Sequence, residues 1–213
     1  MPAVNPPKIV YRFHNGLYVN PTNRCPVSCV FCIKHRQGMN FRGDDLDLKG
    51  AEPDAEEIKA LIEKEWREKP FSELVFCGYG EPVLRLPVLI DICRAIRKNQ
   101  AEGVPADLKI RLNTSGLGSL IWNRDIVPEL KENFDSVHIS LNTAAPAQWE
   151  KLMQPCAEYR DRGHEGVLAF IASCAGNLPE TVVTAVEIPG MDTAAVKKLA
   201  EILGAGFRIR PLL

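Results

Sequence analysis

Asn23-Arg24-Cys25-Pro26-Val27-Ser28-Cys29-Val30-Phe31-Cys32 places three cysteines in CxxxCxxC spacing, with an aromatic residue directly before the last of them. Three thiolates on one short loop are one fewer than an iron–sulfur cubane normally takes. The fourth iron is then open to another ligand, and an open iron is where chemistry happens. A zinc knuckle is the competing reading, because His35 stands three residues beyond Cys32 and zinc accepts mixed cysteine and histidine sets. The other signs of a small zinc module are missing from the surrounding sequence.

Disulfides fit less well. Seven cysteines are an odd number and no apolar signal segment opens the chain, which points to a reducing cytoplasm. Cys77, Cys93, Cys156 and Cys174 are scattered and read as small, partly buried hydrophobes. The 213 residues, 46 % of them hydrophobic, suit a single α/β domain over 1–213 with a core from about 16 to 210. Net charge is −1 and no block is rich in Lys or Arg, so nucleic acid is not indicated as a partner. No apolar stretch approaches the ~20 residues needed to cross a bilayer, so no membrane association is expected.

Outward from the cysteine loop, strand and helix patterns alternate. Gly16 to Asn20 reads as a short strand before the loop. The segment from Pro53 to Glu68 has helical spacing, with Ile58, Leu61, Ile62 and Trp66 on one side and Pro53 suited to the first turn. Leu74 to Cys77 is a continuous apolar run, as in a strand buried on both faces. Then follow a helix over Leu84–Asn99, a strand over Leu108–Leu112, a helix over Leu120–Asn133 and a strand over Ser136–Leu141. Helices within Ala145–Cys174, a strand over Thr181–Ile188, a helix over Asp192–Leu203 and a strand over Phe207–Arg210 complete the chain. Six strands joined by helices predict a parallel sheet with right-handed crossovers, as a partial (βα)6 barrel.

In such a fold, active residues gather at the carboxyl ends of the strands. The unusual residues fall there: the triplet; Cys77-Gly78-Tyr79-Gly80-Glu81-Pro82; Asn113-Thr114-Ser115-Gly116; Ser140 and Asn142; Ile188-Pro189-Gly190. With the triplet, this arrangement resembles the radical S-adenosylmethionine (radical SAM) enzymes from about Leu17 to Arg210. The resemblance implies a [4Fe–4S] cluster on Cys25, Cys29 and Cys32, with S-adenosylmethionine chelating the fourth iron and cleaved reductively to a 5′-deoxyadenosyl radical. It also implies cofactor contacts. Tyr79-Gly80-Glu81-Pro82 matches the family's glycine-glycine-glutamate-proline signature, with Tyr79 in place of the first glycine. Asn113 and Ser115 match its polar loop, Ser140 and Asn142 its ribose or carboxylate contacts, Pro189 its adenine border, and Phe31 the aromatic residue beside the cluster. Each also has an ordinary reading, as a turn, a strand end or a packing residue.

Within the family, Tyr18-x-Asn20-x-Thr22-Asn23-Arg24-Cys25, the Cys77–Pro82 segment and the short length look like the TatD-associated radical SAM proteins. Tyr18, His138, Glu187 and Arg210 are the candidates for the substrate site, because charged or polar residues inside a sheet are costly unless paired or used. Arg111, Arg208 and Lys34-His35-Arg36 are further possibilities, and Arg111 and His138 equally fit roles at helix ends. The absence of a second cysteine cluster leads us to expect a reaction needing one cluster. The expected reaction is hydrogen abstraction from a polar substrate, with a donor such as flavodoxin or ferredoxin supplying the electron. The substrate is then a small molecule, or a protein loop if the chain is an activase that generates a glycyl radical on a partner. A non-catalytic iron–sulfur or zinc module is the remaining alternative.

Overall fold

The computed structural model describes residues 7–212; the outermost residues of the expected domain, 1–6 and 213, lie outside them. The chain divides into two compact units. The first comprises the residues up to Arg24 together with Ile33–Ile110, and the second comprises Cys25–Cys32 together with the residues from Arg111 onward.

In the first unit, β1 (Val10–Phe13) runs antiparallel to β2 (Gly16–Val19) through a two-residue turn in which His14 takes a positive φ of 52°. After α1 (Ile33–Gln37) comes a small hairpin of β3 (Asn40–Phe41) and β4 (Asp44–Asp45). Helix α2 (Ala55–Glu68) starts where Asp54 accepts a hydrogen bond from the Glu57 N–H, and it buries Ile58 and Ile62. It carries the chain over to β5 (Glu73–Phe76), which lies parallel to β2. A 3₁₀ turn over Pro82–Arg85, capped by the buried Glu81, leads into α3 (Leu86–Arg97). Arg12 fastens β1 to the end of α2 by reaching the Glu65 carboxylate (2.8 Å) and the carbonyls of Glu65 and Lys69.

In the second unit, β6 (Lys109–Thr114), β7 (Ser136–Ser140), β8 (Glu180–Val186) and β9 (Gly206–Arg210) are parallel neighbours in that order. They are joined by α4 (Gly118–Ile121), α5 (Val127–Asn133), α6 (Pro146–Met153), α7 (Gly163–Asn177) and α8 (Thr193–Ile202). Side chains alternate between the faces of each strand. Ile110, Leu112, Val137, Ile139, Val183 and Ala185, all fully buried, make one face the core side. The register puts Arg111, Asn113, His138, Ser140, Thr184, Arg208 and Arg210 together on the opposite face.

All six expected strands are present, as β2, β5 and β6 to β9. Two expectations need correction. A further strand, β1, precedes them and is antiparallel, so the strands are mostly and not wholly parallel. The single helix expected over Leu120–Asn133 is two short ones, because Asn123 turns left-handed (φ 48°) and Pro128 restarts the helix in its first turn. Among the described residues, no helix is long and apolar enough to cross a membrane.

Candidate active site

The cysteine loop has no regular secondary structure and is fastened by its backbone to the C-terminal end of α6. Ser28 N–H donates to the Met153 and Gln154 carbonyls (3.1 and 3.0 Å), Val30 N–H to Leu152 (2.9 Å), and Cys156 N–H returns to Pro26 (2.9 Å). Val27 and Pro155 form a bridge between these bonds. A helix ends with unsatisfied carbonyls, and the loop's N–H groups satisfy them. Cys32 N–H closes a turn onto the Cys29 carbonyl (2.9 Å), bringing the second and third cysteines onto one bend.

Cys25 is exposed, while Cys29 and Cys32 are half-buried. Burial pushes the Cys29 thiol up to about 12; the neighbouring Cys25 and Cys32 add to the rise, and the charge of Arg210 opposes it. The three cysteines are therefore close enough to feel one another. A thiol so raised stays protonated at neutral pH, so ligation must displace its proton. The Cys29 Sγ also sits 3.7 Å from the Met153 Sδ, and Met153 is buried. Asn142 braces that methionine: its Nδ2 donates to the Met153 Sδ (3.2 Å), and its Oδ1 accepts from the Val186 N–H (3.1 Å). Asn142 has a positive φ of 66°, a conformation asparagine tolerates better than most residues.

On the polar face of β6 to β9, two arginines reach toward β7. Buried Arg111 directs Nη1 to the Asn113 Oδ1 and the His138 Nδ1, both at 3.1 Å. Arg210, two strands away, donates from Nη2 to the Ser140 Oγ (3.0 Å). Beyond β6, the Gly116 N–H donates to the Thr114 Oγ1 (3.1 Å) and Ser115 is buried. Gly116 has φ 86°, and a Cβ there would stand 2.8 Å from an Ile139 methyl, so this turn requires glycine. Glu187 and Pro189 are both exposed; the Glu187 N–H donates to the Arg210 carbonyl.

The first unit holds the residues just before the triplet, and their side chains act as a bracket. Asn20 accepts from the Tyr79 N–H (3.0 Å) and donates to the Leu46 carbonyl (2.9 Å). Asn23 accepts from the Leu48 N–H (2.7 Å) and donates to the same Leu46 carbonyl (3.0 Å). Thr22 donates to Glu52, Arg24 grips both Glu52 carboxylate oxygens (2.7 and 2.9 Å), and Arg85 adds a second cation at 3.0 Å. Hydrogen bonding from Arg24 first, with help from Thr22 and the charge of Arg85, holds the Glu52 carboxyl below the usual carboxylate range despite burial. The Glu81 N–H bonds to the Arg24 carbonyl (2.8 Å). A Cβ on Gly80 would lie 2.3 Å from the Thr22 carbonyl oxygen, and one on Gly78 would lie 2.1 Å from the Asn20 Oδ1. Both glycines are required by backbone packed directly against them.

The other residues singled out from sequence are also placed. Tyr79 is buried with Tyr11 and Leu46, and its hydroxyl donates to the Asn40 carbonyl (3.1 Å). Tyr18 packs on the Tyr11 ring (5.5 Å) and edge-on to Phe13 (5.6 Å). Phe31 is half-buried, His35 is exposed on α1, and Lys34 donates to the Asn23 carbonyl. Among the described residues, no three His, Cys, Asp or Glu side chains are set to hold a single metal ion. Met153, Glu52 and Arg85 were not singled out from sequence. Only the clustering of Thr, Asn and Arg before Cys25 hinted at such a bracket.

The family model of the Radical SAM superfamily matches residues 19–203. The chain belongs to the Radical SAM superfamily. Over 193 residues it is 31 % identical to the GTP 3′,8-cyclase of Corynebacterium glutamicum, covering 89 % of this chain and 46 % of that protein. The chain spans about half the length of the curated relatives it matches. Streptococcus suis SuiB bound to precursor peptide SuiA is similar in fold, with a TM-score of 0.67 at 13 % identity, covering 96 % of this chain and 40 % of that one. A radical SAM methyltransferase from Sphaerobacter thermophilus gives a TM-score of 0.60 at 18 % identity, covering 95 % and 57 %. The α/β fold with its mostly parallel strands is thus the radical SAM fold. As a radical SAM protein the chain is an enzyme, and the cofactors of its family are a [4Fe–4S] cluster and S-adenosylmethionine. The residues present fit a cluster: three soft donors share one loop, near enough to perturb one another.

Proposed function

We propose that Cys25, Cys29 and Cys32 ligate one [4Fe–4S] cluster and that the enzyme abstracts hydrogen from a polar substrate. Cys25, Cys29 and Cys32 would hold the cluster, which when bound would supply the electron for reductive cleavage of S-adenosylmethionine. The observation that carries this reading is the second unit's cysteine loop, three thiols on one loop clamped to the end of α6 and the segment after it by four backbone hydrogen bonds and a methionine. The chain's own part is to hold that loop rigid and to give up three thiol protons.

Gly80 and Glu81 in the first unit and Phe31, Asn113, Ser115, Ser140 and Pro189 in the second are the proposed S-adenosylmethionine contacts, on the family's motifs. Tyr79 contributes through its backbone, since its ring is buried in packing. Asn142 is assigned to holding Met153 under Cys29, because both ends of its amide are engaged inside the protein. Tyr18, His138, Glu187 and Arg210 remain the proposed substrate residues; the register supports His138 and Arg210 by placing them on one polar face.

The motif from Tyr18 to Cys25 supports placement among the short TatD-associated radical SAM proteins, and the family match over residues 19–203 supports reading 1–213 as a single radical SAM domain. A flavodoxin- or ferredoxin-type reductant and the cytoplasm fit a chain whose seven cysteines are all thiols. Iron and sulfide analysis with Mössbauer spectroscopy on anaerobically reconstituted protein tests the proposal. Four irons per chain, lost on replacing any one of Cys25, Cys29 or Cys32 by Ala but kept in Cys93→Ala, is the expected result. A stoichiometric zinc site with negligible iron would refute it.

A further inference from the structure

Strand β9 ends the parallel run of the second unit, and among the described residues nothing pairs with its outer side. The Glu187 N–H donates to the Arg210 carbonyl, which fixes the phase of the ladder between β8 and β9. In a parallel ladder the N–H and C=O of one residue turn to the same side, and successive residues turn to opposite sides. Gly206, Arg208 and Arg210 therefore direct their backbone groups to β8, while Phe207 and Ile209 direct theirs to the open edge. Pro211 bounds that edge because it has no N–H, and the Ala205 N–H is engaged by the Ala200 carbonyl. The backbone of Phe207 and Ile209 is left as a short template for another strand.

The two faces beside this edge differ. On the helix-facing side stand Phe207, half-buried, and Ile209, 46 % exposed. Helix α8 adds Ile202, 71 % exposed, and half-buried Leu199 one turn before it. These two lie on the flank of α8 turned toward the edge. Gly204, just past the helix, faces α7, which leads into β8: a Cβ on it would stand 3.7 Å from the Ala175 Cβ. Ile202 points about 160° away from Gly204 around the helix axis. On the polar face Arg208 is exposed and has no anionic partner among the described residues.

That arginine argues against a second copy of the chain as the occupant. Two-fold pairing of β9 with itself, centred on Arg208 or Ile209, sets arginine opposite arginine, a destabilising cross-strand pair. Centred on Phe207, it brings Ile209 against Ala205, whose N–H is already engaged. A strand of another composition fits better. Its side chains alternate between the faces, so one set meets the cation and the other meets the isoleucines.

We propose that the open edge of β9 takes an extended segment of a partner polypeptide, about five residues long, in which acidic and apolar residues alternate. Its backbone completes the ladder on Phe207 and Ile209, its acidic side chains meet Arg208, and its apolar ones cover Ile202 and Ile209. The inference goes beyond the proposed function and holds with or without a cluster in the cysteine loop.

The test uses the full, anaerobically reconstituted chain and two fluorescein-labelled peptides of about eight residues, one alternating Val with Glu and one alternating Val with Lys. Fluorescence anisotropy should show saturable binding of the Glu peptide and weaker binding of the Lys peptide. With the Glu peptide at about ten times its Kd, hydrogen exchange read by mass spectrometry should slow about tenfold at the Phe207 and Ile209 amides. The Arg208 amide, already bonded to β8, should change little. Ile209→Pro removes an edge N–H where an edge strand tolerates proline, and should abolish binding. Arg208→Glu should weaken binding of the Glu peptide about fivefold and strengthen that of the Lys peptide by a similar factor. Circular dichroism separates weakened binding from loss of fold, and should Ile209→Pro fail to fold, Arg208→Glu and the exchange pattern decide.

Absence of saturable binding to folded wild type would overturn the proposal, as would binding that leaves the Phe207 and Ile209 amides unprotected. Equal affinity for the two peptides would do so as well, because the edge would then attract apolar residues without regard to charge. Protection of the same amides that grows with protein concentration in the absence of peptide would assign the edge to a second copy of the chain and overturn the proposal too.

Discussion

On the two sides of the Arg24–Cys25 peptide bond the chain is fastened by different means. Before it, in the first unit, side chains do the fastening: Asn20, Thr22, Asn23 and Arg24 all direct their polar ends to protein partners. After it, in the second unit, backbone N–H groups of Ser28, Val30 and Cys156 do so, against α6 and Pro26. A segment anchored by its side chains has none left for a ligand. One anchored by its backbone keeps its side chains for chemistry, and this is where the three thiols lie.

The contrast breaks most readily at Gly80. Gly80→Ala adds a single Cβ against the Thr22 and Arg24 carbonyl oxygens, at 2.3 and 2.6 Å, so backbone on one side must move. A loss of about 3 kcal/mol or more is expected in denaturant unfolding, as for severe overpacking. Unchanged stability would show that the bracket is soft.

Met153→Ala tests the other side. Its side chain is buried between Cys29 and Asn142, and truncation should cost about 2–4 kcal/mol. It should also speed alkylation of Cys29 in the apo protein, read by mass spectrometry, whereas Gly80→Ala should not act selectively there. Asn142→Leu, which removes the amide from Met153 and Val186, should show the same selectivity.

Glu52→Gln sharpens the comparison at lower cost. Two arginines and a threonine lose a carboxylate partner, for about 1–2 kcal/mol, and the loss should fall on the first unit's hydrogen-exchange protection. Protection lost first around Ser28 and Val30 would contradict the division of labour.

The smallest effect concerns His164 in α7, buried against the Trp149 ring. Burial lowers its pKa below the ordinary histidine value, with a hydrogen bond from its ring to the Thr143 backbone in partial opposition. With the folded value lowered, the unfolded chain takes up the proton first. Stability should therefore fall as pH drops through the unfolded value of about 6.5. His164→Phe should flatten that acid slope between pH 7 and 5 in thermal melts, and an unchanged slope would assign it to other groups.

Much of this was legible in the sequence for physical reasons. Apolar runs broken by helical spacing located all six strands of the parallel set, whereas Pro53, expected in the first turn of α2, instead precedes its Asp54 cap. The antiparallel β1 was missed, although Asn15-Gly16 between Val10–Phe13 and Leu17–Val19 is a hairpin signal. The bracket was not legible as such. Asn20, Thr22 and Asn23 looked like family motif, and their partners Leu46, Leu48 and Glu52 come from a segment with no regular period. Asn142 was read as a cofactor contact from its match to the family's polar residues at the end of this strand. Sequence does not show that Met153 and Val186 arrive to use both ends of its amide. Arg208 and Arg210 lie two apart and share a face, which strand periodicity alone establishes. That Arg210 reaches across to Ser140 needed the register.

The central claim is that the backbone-anchored loop presents an iron with a place for S-adenosylmethionine. Electron paramagnetic resonance of the anaerobically reconstituted, dithionite-reduced protein tests it most directly. The account predicts a [4Fe–4S]⁺ signal whose g values shift when S-adenosylmethionine is added. A cluster signal unchanged at saturating S-adenosylmethionine would contradict it.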